Sequence, residues 1–226
     1  MKNIIYILTF FIATVAIAQT SNSLELEKQK IKQALAYGDK STAANAMYTI
    51  ISLEGPTSMY KDSLAYLYFN ERNYVSCFLV TKDVLKNKPQ NVELLEMNAI
   101  SLESIGALEQ SIESYKTLLL KSNDNYHAYK IAGLQLAMKK YDEALVSIKK
   151  ADQLADDGKM NVTFQVNKNY NQNVPLKPSI SYLQGLIELN LDKRTEAKIS
   201  FERALKLFPD FALAKSKLVT LETDKN

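Results

Sequence analysis

The sequence predicts an all-α protein of the α-solenoid type, and three observations predict it. The 226 residues are rich in Leu, Ala, Glu and Lys and hold only six Gly and five Pro, which supports helix and leaves few turn residues for an all-β fold. Small residues recur three positions after a reference site, and those sites recur at a nearly fixed period. Within each repeat the apolar residues keep helical spacing.

The reference pairs are Lys40 and Ala43, Tyr74 and Cys77, Leu108 and Ser111, Tyr141 and Ala144, and Arg194 and Ala197. The first four sites lie 34, 34 and 33 residues apart, and the fifth follows after 53, one period plus about 19 residues. Each site is expected to open the second helix of a pair. After Tyr141, the residues Ala144, Leu145, Ile148 and Ala151 form one amphipathic stripe, with Lys149, Lys150 and Asp152 mostly on the other side. A large side chain would hold two crossing helices apart, so the small residue of each pair marks a close-approach point.

The first helix of each pair precedes this, with core marks at Leu64, Ala65 and Tyr68; Ala99 and Leu102; Ile131 and Ala132; and Gly185 with Leu186. Gly38 and Gly106 share the phase at which a helix ends in a left-handed residue, and Pro89 and Pro209 share the phase that closes the second helix. Five helical hairpins are therefore expected near 24–57, 58–91, 92–124, 125–158 and 178–211. A capping helix is expected over 210–223, with Asp210 as its N-cap and Ala214, Leu218 and Leu221 on one face, covering the last repeat's stacking surface.

These residues resemble the tetratricopeptide repeat (TPR) family. The fourth hairpin carries the resemblance with Ile131, Ala132, Tyr141, Ala144, Ile148 and Ala151; the fifth with Gly185, Ala197, Phe201, Ala204 and Pro209; the second with Leu64, Ala65, Tyr68, Tyr74, Cys77 and Pro89. The first hairpin has Lys40 where an aromatic is usual, the third has Leu108 and Ser111 and lacks the Gly, and the Trp near the start of the motif is absent throughout. The resemblance covers about Leu24 to Phe211. It implies a right-handed superhelix whose concave face is lined by the first helix of each pair, and a protein or peptide as partner.

On that face the resemblance places Tyr66, Phe69, Glu93, Glu96, Tyr126, Tyr129, Tyr182 and Leu186. The stretch Leu64–Phe69 is apolar or aromatic all round a helical turn, so one stripe packs inward and another needs a second cover, either the next hairpin or a ligand. Some family members hold a partner's terminal carboxylate with Lys and Asn at set first-helix positions. Lys28 and Lys32 occupy two such positions, but the Asn is missing and the second hairpin offers Asp62 and Ser63, so the sequence departs from that pattern.

The stretch 156–178 breaks the period. It is rich in Asn and closed by two Pro, and it reads as an inserted loop in which alternating Val162, Phe164 and Val166 suit a short strand or hairpin arm. A lengthened surface loop costs little entropy, whereas long ordered loops are often functional; Phe164 and Tyr170 are its contact candidates.

The first 18 residues hold one Lys, an apolar run over 4–17 broken only by Thr, and small residues at Ala16 and Ala18, the layout of a secretory signal peptide cleaved after Ala18. The run is short for a membrane span, which needs about 20 apolar residues. A periplasmic or secreted protein with no membrane span after cleavage is expected. Cleavage leaves 27 basic against 25 acidic residues, a balance that argues against a nucleic-acid partner.

Catalytic chemistry finds little support. The single Cys77 cannot form an internal disulfide and fits a buried small slot, and the single His127 belongs to a hairpin two repeats away. No metal-ligand cluster, Gly-rich phosphate loop or G-x-S-x-G turn occurs, so no cofactor, metal or catalytic residue is assigned. The expected function is a non-catalytic interaction module binding a peptide or protein in the concave groove. The alternatives are an assembly subunit of an envelope secretion or motility complex, using its convex face or the 156–178 loop, and, more remotely, an unrecognised enzyme. The sequence leaves the oligomeric state open.

Overall fold

The reference sites are where the second helices begin. In the computed structural model, which describes residues 22–223, a helix α1 over 22–36 is followed by α2 (Lys40–Glu54), α3 (Tyr60–Asn70), α4 (Tyr74–Val84) and α5 (Val92–Ser104). Next come α6 (Leu108–Ser122), α7 (Asn125–Ala137), α8 (Tyr141–Gln153), β1 (Asn161–Asn167) and β2 (Tyr170–Pro175). The chain ends in α9 (Leu176–Asn190), α10 (Arg194–Leu207) and α11 (Ala212–Thr223). The expected signal segment lies outside the described residues.

The chain forms two compact units, one up to Ile105 and one from Gly106. In the first, α2 packs on α3, α3 on α4 and α4 on α5. Its interior has two clusters, one around Ala43, Met47, Ile50 and Leu64, the other around Ala65, Cys77, Val84, Leu94 and Met97. In the second, each helix from α6 to α11 packs on the next, and the interior is centred on Ala144, Ile148, Leu176, Ile180 and Ile187, and on Tyr182, Phe201, Phe211 and Leu221. Successive helical hairpins of this kind define the α-solenoid class.

The close-approach reading can be checked atom by atom. Ala43, Cys77, Ser111, Ala144 and Ala197 are all fully buried, as residues at helix crossings must be. Helix starts are fixed by side-chain caps: Asp39 accepts from the Thr42 N–H at 3.0 Å, Asn91 from Leu94 at 3.0 Å and Asp124 from Tyr126 at 2.8 Å.

The turn inside each hairpin has one more regularity. Gly38, Arg72, Gly106, Lys139 and Asp192, each two residues before a reference site, all have left-handed backbone, with φ of 76°, 56°, 81°, 61° and 57°. The next N–H reaches back five residues, as in Asn73 to the Tyr68 carbonyl, Lys140 to Gln135 and Lys193 to Glu188, each at 2.9 Å, closing a Schellman-type end. The turn geometry is therefore kept where its preferred residue is not. Lys139→Gly should stabilise the protein by about 0.5–1 kcal/mol, because relief of left-handed strain outweighs the added freedom of the unfolded chain. A thermal melt with unchanged or lower midpoint would refute this.

The 156–178 insertion is an ordered antiparallel β-hairpin, with Val162 opposite Val174 and Phe164 opposite Gln172 and an irregularity between Gln165 and Asn167. Its end corrects the expected loop boundary, because α9 already begins at Leu176 and takes in Lys177 and Pro178. Pro178 is tolerated there because the first-turn N–H groups of a helix have no partner within it. The capping helix also departs from expectation. Gln172 of β2, rather than Asp210, serves its start: Gln172 Oε1 accepts from the Ala212 N–H at 3.0 Å and its Nε2 donates to the Asp210 carbonyl at 2.6 Å.

Candidate functional site

In the first unit the candidate residues come together on α3 and α5. Tyr66, 40% exposed, donates its hydroxyl to the Glu93 carboxylate, so these two candidate residues of successive first helices are side by side. That hydrogen bond, with burial and the charges of Glu93 and Asp62 adding to it, pushes the phenol pKa up to about 12. Phe69 is half-buried and packs edge-on against Tyr74 at 6.1 Å, which commits most of its ring to the core of its own hairpin. Glu96 is half-buried, one turn along α5 from Glu93. Asp62, at a position where a carboxylate clamp would need a neutral or basic side chain, is held by Lys88 at 2.6 Å.

In the second unit the hairpin changes the picture. Tyr182 is a correction to the expected groove lining: it is buried, with its ring 5.5 Å from Phe164, 4.9 Å from Phe211 and 5.6 Å from Phe201. The cause is the insertion, whose inner face lays Phe164 and Val174 over this part of α9. Phe164, expected as a loop contact, thus faces inward, and Leu186 packs against the same cluster. Tyr126 and Tyr129 stack at 6.4 Å and are half-buried against the α7–α9 core, where Val162 also rests. Tyr170, at the hairpin turn, is 49% exposed.

A polar brace accompanies the hairpin. Arg203 of α10 donates to Asp152 at 2.8 Å and to Ser181 at 2.9 Å, and Lys177 stands 3.2 Å from the same Asp152 carboxylate. Burial pushes the Asp152 pKa up, but hydrogen bonds from Arg203 and Lys177 and their charges outweigh it and hold the carboxyl below its ordinary value.

The two reactive residue types are spent on packing. Cys77 is buried, which pushes its thiol pKa up despite a hydrogen bond from Ser101. His127 is buried, with Nδ1 2.9 Å from the Ser122 hydroxyl. Among the described residues no group of three or more His, Cys, Asp or Glu could hold a metal, and no helix is long and apolar enough to cross a membrane.

Fold and surface together define a helical-repeat scaffold. Residues 178–211, covering nearly all of α9 and the whole of α10, match the tetratricopeptide repeat family. The crystal structure of YrrB, described as a TPR protein with an unusual peptide-binding site, is similar with TM-score 0.65 and 14% identity, over 88% of this chain and 96% of that one. The structure of MamA from Desulfovibrio magneticus RS-1 aligns with TM-score 0.61 and 13% identity, over 84% and 97% of the two chains. A further MamA crystal structure gives 0.58 and 18%, over 72% and 84%. At these identities the likeness is one of fold. Comparison with curated protein sequences finds no match.

Proposed function

We propose that this protein is a non-catalytic, exported interaction module whose first unit binds a basic peptide segment along α3 and α5. The observation that carries the reading is the Tyr66–Glu93 pair, an exposed aromatic ring locked to a carboxylate between two successive first helices. A fixed ring offers contact area with little entropy left to lose, and Glu93 and Glu96 fall on one side of α5, so cationic side chains complement it. The YrrB description supports a peptide as ligand by analogy of fold alone. Export is supported by the apolar run over 4–17, and the mass of the protein recovered from its cells tests it: an N-terminus other than Gln19 sinks cleavage after Ala18.

A displayed library of random peptides provides the binding test. Captured sequences should be enriched in Lys and Arg. Tyr66→Ala should weaken the selected peptides roughly tenfold or more without shifting the melting midpoint, since the ring is not part of the core. Glu93→Gln combined with Glu96→Gln should remove the basic preference and much of the salt dependence. Enrichment in acidic peptides, or a Tyr66→Ala variant that binds as well as the parent, overturns the reading.

A further inference from the structure

The β-hairpin is a sheet of two strands. We infer that β1 is a self-association strand, pairing antiparallel with β1 of a second copy of this chain about a two-fold axis through Phe164.

The sheet has only two strands, so the outer edge of β1 presents alternate N–H and C=O groups with no third strand among the described residues. The two strands differ in cover. On β2 the inward residues Gln172 and Val174 are buried, whereas on β1 the inward residues Val162, Phe164 and Val166 are each only half-buried. Apolar side chains on the β1 side of the sheet are therefore left partly wet by their own chain, which places the incomplete edge at β1.

Two of the features that keep edge strands apart, charge and Pro, are missing from β1, whose one irregularity lies between Gln165 and Asn167. Its seven residues, NVTFQVN, include no charge and no Pro. The sequence also reads nearly the same in both directions. Antiparallel pairing centred on Phe164 sets Asn161 opposite Asn167, Val162 opposite Val166 and Thr163 opposite Gln165 of the second copy. Every apolar residue then meets an apolar one on the inner face and every polar residue a polar one on the outer face. Beyond the strand, Met160 stands opposite Lys168, so no like charges meet. A two-fold contact requires such self-complementarity of its surface. A strand that met only a foreign peptide would have no reason to be symmetric about its own centre. The inference does not rest on the peptide-binding reading, because none of its residues lies on α3 or α5.

The experiment is sedimentation of the purified chain in reductant over a concentration series, with circular dichroism and a thermal melt on each variant. The parent should show a concentration-dependent dimer. Thr163→Lys with Gln165→Lys puts Lys opposite Lys across the axis twice and should raise the dimer dissociation constant roughly tenfold or more. Thr163→Glu with Gln165→Lys puts Glu opposite Lys twice and should restore the dimer. Both pairs of substitutions are at exposed positions and both lose the Thr163–Asn173 hydrogen bond, so a difference between them reports pairing rather than folding. A parent that stays monomeric at every soluble concentration overturns the inference and leaves the edge to another protein. A dimer that ignores the Lys pair, or is not rescued by the Glu–Lys pair, overturns the proposed pairing.

Discussion

Replacing Gly185 by Ala lowers the stability of the second unit by about 2–3 kcal/mol, seen as a fall in melting midpoint of roughly 10 °C. Intrinsic helix preference predicts the opposite sign, since Ala in a helix interior is favoured over Gly by about 1 kcal/mol. Sterics decide the matter. A Cβ at 185 would stand 2.6, 2.8 and 2.9 Å from three ring atoms of Phe201, which is fully buried and has Tyr182 at 5.6 Å, leaving the ring little room to turn away. Gly133 supplies the internal control. A Cβ there meets only a Leu183 methyl at 3.9 Å, so Gly133→Ala should be neutral or stabilising by up to about 1 kcal/mol. Equal effects from the two substitutions, measured by thermal or chemical unfolding, would show that the α9–α10 crossing is not the tight one.

That crossing is also where the sequence was easiest to read. The small residue three positions into each second helix and the spacing of the second-helix starts are local or periodic signals, and a helix crossing leaves few residue types that satisfy it. The left-handed turns were half legible. Gly38 and Gly106 announce themselves, but Arg72, Lys139 and Asp192 adopt the same backbone under compulsion from the repeat, and a side-chain type carries no trace of that. Tyr66 could be placed on the inner side of α3 by its phase, while its bond to Glu93 depends on how two successive hairpins stack. The position of Tyr182 departs from its helical phase for a different reason. Its phase matches the inner positions of other first helices, and only the fold of the inserted hairpin decides that Phe164 covers it. Gln172 offered no signal at all, because a glutamine serving a helix start 40 residues later in the chain is set by tertiary structure alone.

Phe211→Ala should cost about 3–4 kcal/mol. Its side chain is fully buried where three elements meet: Phe164 of β1 at 5.0 Å, Tyr182 of α9 at 4.9 Å, and the start of α11 that it immediately precedes. Two accounts of the hairpin then part ways. If it were a tolerated surface insertion, Phe164→Ala would be nearly silent and its effect would add simply to that of Phe211→Ala. If it is part of the core, the two substitutions interact, because removing either ring loosens the packing of the other against Tyr182. A double-mutant cycle should return a coupling of about 0.5–1.5 kcal/mol. Zero coupling would return the hairpin to the status of a loop. The geometry favours the second account, since Gln172 ties the same hairpin to the α10–α11 turn by two hydrogen bonds. A strand anchored this firmly on one face can present its outer edge in a fixed orientation, and a fixed edge is what pairing with another strand requires.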